Sequence, residues 1–211
     1  MISLLNGLEA SIELLAPESL PESSGGENHR KVLLPGSFNP LHQGHMEMAR
    51  LAAERPGYTV WYELSCVNAD KPAIHTRETK RRLVNTILDK NEKASAGPSP
   101  TFRPHGLLIT RLPTFVTKAR FFPECFFAVG ADTLVRVADP RFYENSVVAR
   151  DRAIAEITSL GCRFLVFGRL TDRRFRELHH LRLPDLLFDL CEEVPEHDFR
   201  YDISSRDIRR D

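Results

Sequence analysis

Cysteine is scarce in this chain, and the four residues present, Cys66, Cys125, Cys162 and Cys191, stand far apart. They form no CxxC pair and no spacing typical of metal ligands, which excludes a disulfide scaffold and a cysteine-rich zinc module. Three of them lie in apolar stretches, where a thiol behaves as a small hydrophobic group. We therefore expect a reduced, cytoplasmic setting and no metal ion held by the protein itself.

An excess of charge of either sign is also missing, because 29 lysine and arginine residues balance 29 aspartate and glutamate residues. Without a global electrostatic field, nucleic acid is not an expected partner. No apolar run approaches the length of a membrane span, and the first residues lack the basic region of a secretion signal. A membrane is therefore not an expected partner either.

The chain of 211 residues can bury one substantial core. Residues 3–15 place apolar side chains at helical spacing, and prolines, serines and glycines then break the pattern. We predict an amphipathic helix on a flexible linker over 1–30, followed by a single domain over 31–211.

From Lys31 onward, apolar runs alternate with helical patterns, which indicates an α/β fold with a mostly parallel sheet covered by helices on both faces. Ligands bind such sheets beyond the carboxyl ends of the strands. The predicted strands are 31–35, 59–66, 107–112, 124–129, 163–167 and 191–194, and the predicted helices are 43–55, 76–91, 113–121, 132–138, 146–160 and 173–180.

The most informative segment is Gly36–His45, which follows the apolar run 31–34. It predicts a tight turn and then the start of a helix, where backbone N–H groups without an internal partner bind anions. His42 and His45 stand three residues apart on the first turn, so both imidazoles can donate to phosphate oxygens. Half of a zinc site is the alternative, although no cysteine or carboxylate stands nearby at zinc spacing. The segment favours a nucleotide triphosphate as ligand.

A second helix start is predicted near the end of the chain, where Ser204 is followed three residues later by Asp207. This spacing is a capping box, in which the serine side chain accepts a hydrogen bond from the first turn. The hydroxyls of Ser204 and Ser205 and the guanidinium of Arg209 add donors for an anion. A capping box alone indicates only a helix start. We infer an anion-binding role here only because the first motif is also present.

The third motif, Phe126–Thr133, predicts a strand, a glycine turn and a helix that opens with an aspartate. Gly130 allows a ligand to lie against the backbone. Asp132 has two equal interpretations, because it can accept a hydrogen bond from a ribose hydroxyl or cap the helix 132–138.

These motifs, in this order, resemble the nucleotidylyltransferase superfamily with its HxGH and ISSTxIR signatures. The asparagine and proline of the first motif and the Gly-Ala-Asp of the third are most similar to the nicotinamide/nicotinate mononucleotide adenylyltransferases. The resemblance spans roughly residues 31–209. It implies a Rossmann-like, doubly wound sheet that binds ATP at its strand ends.

The resemblance also implies a reaction, in which AMP moves from ATP to the phosphate of a pyridine mononucleotide in NAD synthesis and pyrophosphate leaves. Magnesium would accompany the ATP, and His42, His45 and Arg209 would be the catalytic residues. The residues implied to bind ATP are Gly36, Ser37, Phe38, His42, His45, Gly130, Asp132, Ser204, Ser205 and Arg209.

The acceptor side depends on the segment 65–71, which resembles the part that those enzymes place near the mononucleotide. Asn68 lies in it, and Lys71 and Arg82 would meet the acceptor phosphate, although Arg82 also suits a solvated helix face. Trp61 stands inside a predicted strand, so we expect it in the core rather than stacked on a substrate ring.

Two features depart from the family pattern. Arg206 stands where the family usually has threonine, which adds a positive charge near the triphosphate, and the chain stops at Asp211. We expect both features to weaken the phosphate clamp while leaving the histidine pair intact.

Two other functions stay open. One is a cytidylyltransferase, or an adenylyltransferase for another phosphorylated small molecule, but those relatives more often carry Gly-Thr-Phe-Asp at the first motif. The other is a nucleotide-binding regulatory module without catalysis. The early end of the chain favours the module, whereas the intact His42, His45 and Arg209 disfavour it.

Overall fold

The fold is built around one large sheet. The computed structural model describes residues 12–15, 30–55, 57–65, 105–171, 174–202 and 208. The strands in these residues are β1 (Ile12–Leu15), β2 (Arg30–Pro35), β3 (Tyr58–Ser65), β4 (Gly106–Thr110), β5 (Phe126–Gly130), β6 (Arg163–Phe167), β7 (Arg169–Thr171), β8 (Arg174–Arg176) and β9 (Cys191–Val194).

The large sheet has seven strands in the order β1-β4-β3-β2-β5-β6-β9. Strand β1 is antiparallel to β4, and the other six strands are parallel to one another. Along the chain, the strands after β2 are added on one side of it, and those from β5 onward are added on the other side. The adjoining carboxyl ends of β2 and β5 are therefore the topological switch point of the sheet. The predicted α/β, Rossmann-like fold is confirmed.

Helices cover both faces of the sheet. The helix after β2 packs on one face through Met48, Ala49 and Ala52, whereas the later helices bury Leu134 and Ile154 in the core of the other face. Among the described helices, none is long and apolar enough to cross a membrane. The helices are α1 (Gln43–Ala53), α2 (Phe115–Phe121), α3 (Ala131–Ala138), α4 (Val147–Ser159) and α5 (Asp185–Phe188), with 3-10 turns at Pro140–Tyr143 and Leu178–His180.

Most predicted elements are found within two residues of their predicted ends. This holds for all six predicted strands and for the predicted helices 43–55, 113–121, 132–138 and 146–160. The predicted helix 76–91 lies outside the described residues. Trp61 is buried in the core, as predicted.

The helix predicted over residues 3–15 is wrong at Ile12–Leu15, which form β1. The reason is a tertiary contact. Strand β4 would otherwise be an edge strand with unpaired backbone groups, and Ile12–Leu15 pair with it as an antiparallel strand. Helical spacing of apolar residues carries no information about such a partner. The rest of the predicted helix and its linker lie outside the described residues, and the domain boundary at residue 30 stays a prediction.

The helix predicted over 173–180 is also wrong. Strands β7 and β8 form a two-stranded hairpin, and a 3-10 turn follows. In β8 the side chain of Phe175 is half-buried, and those of its neighbours Arg174 and Arg176 are exposed. This alternation is the two-residue period of a strand. Phe175 lies on Gly168, where an added Cβ would come within 2.4 Å of its ring.

A buried ion pair supports the carboxyl ends of β3 and β4. Lys118 of α2 donates to both carboxylate oxygens of Glu63 at 2.8 and 2.9 Å and to the carbonyl of Leu112 at 2.6 Å. The hydroxyl of Thr110 donates to the same carboxylate. Glu63 is fully buried and Lys118 is 4% exposed, so each charge depends on the other for its stability in the core.

We predict that Lys118→Met lowers the free energy of unfolding by about 3–5 kcal/mol, because it leaves the Glu63 carboxylate buried without its cation. Arg120→Met is the matched control on the same helix, since its pair with Glu156 is exposed and its loss should change the stability far less. Urea unfolding measures both variants. Equal losses in the two variants would contradict the account of the buried pair.

Candidate functional site

The turn after β2 carries the backbone to the switch point. Gly36 donates its N–H to the carbonyl of Glu63 at 2.9 Å, which continues the pairing of β2 with β3. Phe38 has a left-handed backbone with a φ of 44°, and its ring is buried. A Cβ on Gly36 would lie 2.6 Å from that ring, so this position needs glycine.

His42 and His45 stand side by side at the start of α1. His42 is the N-cap residue, and the two ring centroids are 3.8 Å apart. The backbone N–H of His42 donates to Nδ1 of His45 at 3.4 Å. Because Nδ1 is an acceptor, the proton of a neutral His45 ring is on Nε2, which becomes a hydrogen-bond donor.

Burial, followed by the proximity of His42 and of Arg169, lowers the pKa of His45 to about 3. The ring is therefore neutral at pH 7 and keeps a single N–H. Its ring packs edge-on against Phe38 with the centroids 5.2 Å apart, which fixes its orientation. His45 can donate a hydrogen bond to an anion over the whole physiological pH range.

Arg169 is a site residue that the sequence predictions missed. It directly follows Gly168 at the carboxyl end of β6, and its Nε lies 3.8 Å from Oδ1 of Asp132. Its charge is close enough to His45 to lower the pKa of that ring. The rule that ligands bind beyond strand ends applies to β6 as well, so the position of Arg169 was a signal that could have found it.

Gly130 and Asp132 lie at the end of β5, beside Arg169. Gly130 is the N-cap residue of α3 and Asp132 lies within its first turn, so the interpretation of Asp132 as the helix cap is wrong. An added Cβ on Gly130 would lie 2.7 Å from Oδ1 of Asp132 and 3.8 Å from Cδ of Arg169. The backbone at Gly130 is therefore closely bordered by one acidic and one basic side chain.

The chain returns to the histidine pair after β9. Phe199 packs against Phe167 at 4.9 Å between ring centroids, and Tyr201 packs against the core cluster that contains Met48 of α1. An added Cβ on Gly44 would lie 3.2 Å from the His42 ring and 3.4 Å from Cβ of Tyr201. Residues 199–202 thus run beside the start of α1, directly before the predicted phosphate-binding segment.

Several predicted site residues lie outside the described residues. These residues are Asn68, Lys71 and Arg82 on the acceptor side and Ser204, Ser205, Arg206, Asp207 and Arg209 in the second motif. Their roles stay predictions.

A pocket of about 170 Å³ opens next to the Gly36 turn, above the buried Glu63–Lys118 pair. Its walls contain three aromatic side chains and one arginine. Sequence reasoning did not single out these residues, because they come from α2, α3 and a 3-10 turn that only the fold brings together. They are Phe115, Arg136, Phe142 and Tyr143.

The aromatic side of this pocket is held in place by hydrogen bonds. The hydroxyl of Tyr143 donates to the carbonyl of Val137 at 3.0 Å, and Asp139 accepts from the backbone of Arg141 at 3.0 Å. The 3-10 turn that carries Phe142 and Tyr143 is thereby fixed to the end of α3. Aromatic rings and a guanidinium in one pocket suit a ligand that combines a planar ring with an anionic group.

Comparison with known proteins gives one family. A family model described as cytidylyltransferase-like matches residues 33–211. A search of curated proteins finds no match.

The low pKa of His45 predicts a pH-dependent stability. An unfolded chain takes up a proton on this ring near pH 6.5, but the folded chain does so only near pH 3. The free energy of unfolding therefore falls as the pH drops below 6.5, by about 1.4 kcal/mol per pH unit from this group. Between pH 7.5 and 5 the contribution is about 2 kcal/mol.

We expect His45→Gln to reduce the loss of stability between pH 7.5 and pH 5 by about this amount, as measured by urea unfolding. His197→Gln is the control, because the His197 side chain is 79% exposed. An unchanged pH dependence in His45→Gln would show that His45 titrates normally.

Proposed function

The chain belongs to the cytidylyltransferase-like family, which gives it a nucleotidyltransferase-type function, and we propose that its reaction is adenylyl transfer to a pyridine mononucleotide. The substrates are magnesium–ATP and nicotinamide or nicotinate mononucleotide, and the products are the dinucleotide and pyrophosphate. The observation that carries the proposal is the neutral His45, fixed as an Nε2–H donor beside the glycine turn at the switch point.

In this reaction an oxygen of the acceptor phosphate attacks the α-phosphorus of ATP. A new P–O bond forms while the bond from the α-phosphorus to the bridging oxygen breaks, and pyrophosphate leaves with the electron pair. The protein supplies no nucleophile, so positioning and electrostatic stabilisation provide the rate. The Nε2–H of His45 donates to the phosphates, and the guanidinium of Arg169 adds positive charge nearby.

A neutral donor suits this role because the buried ring needs no counter-ion before the substrate binds. In the free protein, the low pKa of His45 leaves its ring neutral, so Arg169 has no second positive charge beside it. The negative charge of the triphosphate favours hydrogen bonding at Nε2, and this bond strengthens as charge develops on the leaving pyrophosphate. We propose that Ser204, Ser205 and Arg209 reach the same phosphates, because Tyr201 already lies beside Gly44.

We assign the acceptor to the pocket beside the Gly36 turn. Its aromatic side chains suit a pyridine ring, and Arg136 suits the acceptor phosphate. The pocket shares Gly36 and Ser37 with the proposed triphosphate site, so we propose that the two substrates meet at this turn. Asn68, Lys71 and Arg82 remain proposed acceptor contacts.

The direct test is a panel of donors and acceptors. We predict pyrophosphate and dinucleotide formation from magnesium–ATP with nicotinamide or nicotinate mononucleotide, followed by chromatography of the products. CTP in place of ATP and other phosphorylated small molecules as acceptors complete the panel. A product from CTP alone would favour a cytidylyltransferase, and ATP binding without any product would favour a regulatory module.

We also predict that His45→Ala lowers kcat by about 10² or more with little change in the KM for ATP, since its hydrogen bond strengthens in the transition state. His197→Ala is the matched control at an exposed histidine. Steady-state pyrophosphate release measures both variants. A kcat unchanged by His45→Ala would remove this ring from the mechanism.

A further inference from the structure

A second group of chemically active side chains lies at the carboxyl edge of the sheet and does not include the histidine pair. Glu177, His179 and His180 surround the 3-10 turn that follows β8, and Glu193 joins them from β9. We propose that this histidine–glutamate cluster binds one divalent transition-metal ion, with zinc as the expected occupant. The inference stands apart from the proposed function and from the magnesium that accompanies ATP.

The first observation is geometric. One ligand atom from each of Glu177, His179 and His180 can be chosen so that all three lie within 4.8 Å of one another. Nε2 of His179 is 4.0 Å from Oε2 of Glu177. Two atoms bound at about 2.1 Å to one tetrahedral zinc ion are about 3.4 Å apart, so a shift of up to about 1.5 Å closes the site. Both histidines are exposed, which leaves their rings room to make it.

The second observation concerns the orientation of His179. Its Nδ1 lies 3.0 Å from Oε2 of Glu193, and its backbone N–H donates to the same oxygen at 3.1 Å. With Nδ1–H donating to a carboxylate, Nε2 keeps its lone pair for a metal ion. Carboxylates hold metal-binding histidines in this way in many zinc sites, where they fix the tautomer and raise the basicity of the ring.

The third observation is the charge of the cluster. The side chain of Glu177 is 12% exposed and that of Glu193 is 29% exposed. Within the described part of the chain, the only basic side chain within ion-pair distance of either carboxylate is His179. With two negative carboxylates and two neutral imidazoles, the cluster would carry two negative charges, which one divalent cation balances.

Glu177 is positioned in advance for binding. Its Oε1 accepts the backbone N–H of Glu196 at 2.7 Å, so Oε2 is the oxygen that faces His179. His180 has to adjust more, because its Nδ1 accepts the backbone N–H of Glu177 at 3.1 Å. Coordination through Nε2 moves the ring proton and gives up this hydrogen bond. We therefore expect His180 to contribute less to affinity than His179.

The donor set indicates the class of metal. Imidazole nitrogen with carboxylate oxygen suits zinc and its neighbours cobalt, nickel and copper, whereas magnesium prefers a shell of oxygens. Zinc is the expected occupant because it accepts four ligands of mixed type, and water can complete the shell.

The test uses the full chain without a purification tag, stripped of metal by a chelator. Zinc is titrated in competition with a chromophoric chelator, and cobalt is then used to record the absorption spectrum of the bound ion. We expect one ion per chain and a tetrahedral cobalt spectrum without sulfur-to-cobalt charge transfer. His179→Gln should weaken zinc binding by about 100-fold or more, and Glu193→Gln by about 10–100-fold.

His197→Gln is the matched control, since it removes an exposed histidine elsewhere and should leave the affinity unchanged. Circular dichroism checks that each variant is folded. Zinc affinity that is equal in His179→Gln and the wild type would overturn the proposal. A cobalt spectrum with thiolate charge transfer would also overturn it, because it would place the ion on a cysteine.

Discussion

The divergence of the polypeptide at β2 and β5 is the constraint on which the rest of the structure depends. Helix α1 leaves β2 over one face of the sheet, and α3 and α4 leave β5 over the other face. The described helices that follow these two strands therefore diverge at the strand ends, which opens a crevice there. Gly36 follows β2, Gly130 is the last residue of β5, and Arg169 follows the glycine after β6, so all three lie at this edge of the sheet.

Burial determines the charge states of the polar side chains around this crevice. Packing around the mostly buried His45 lowers the pKa of its ring to about 3, and the hydrogen bond at Nδ1 keeps its proton on Nε2. Below the neighbouring pocket, the Glu63–Lys118 pair keeps two opposite charges in the core and fixes the ends of β3 and β4. The proposed catalysis therefore depends on His45, and the stability of the strand ends depends on the Glu63–Lys118 pair. Because the Gly36 turn lies between them, we expect a change to His45 or to the ion pair to affect the geometry of this turn.

The sequence predicted those parts of the molecule that local pattern determines. The parallel strands and the Gly36–His45 turn follow from apolar runs and from glycine and proline chemistry, and they are found where expected. Strand β1 and the β7–β8 hairpin were missed because each depends on a partner distant from the local pattern, β4 for β1 and Gly168 for Phe175. The histidine–glutamate cluster was missed for a similar reason, since Glu193 reaches it from another strand.

The central claim is that the crevice at β2 and β5 holds the triphosphate. A crystal structure with magnesium and a non-hydrolysable ATP analogue tests it most directly. The account predicts a phosphate oxygen within about 3.2 Å of Nε2 of His45, with the adenosine against Gly130. An analogue bound elsewhere, with every phosphate oxygen more than about 5 Å from both imidazoles, would contradict it.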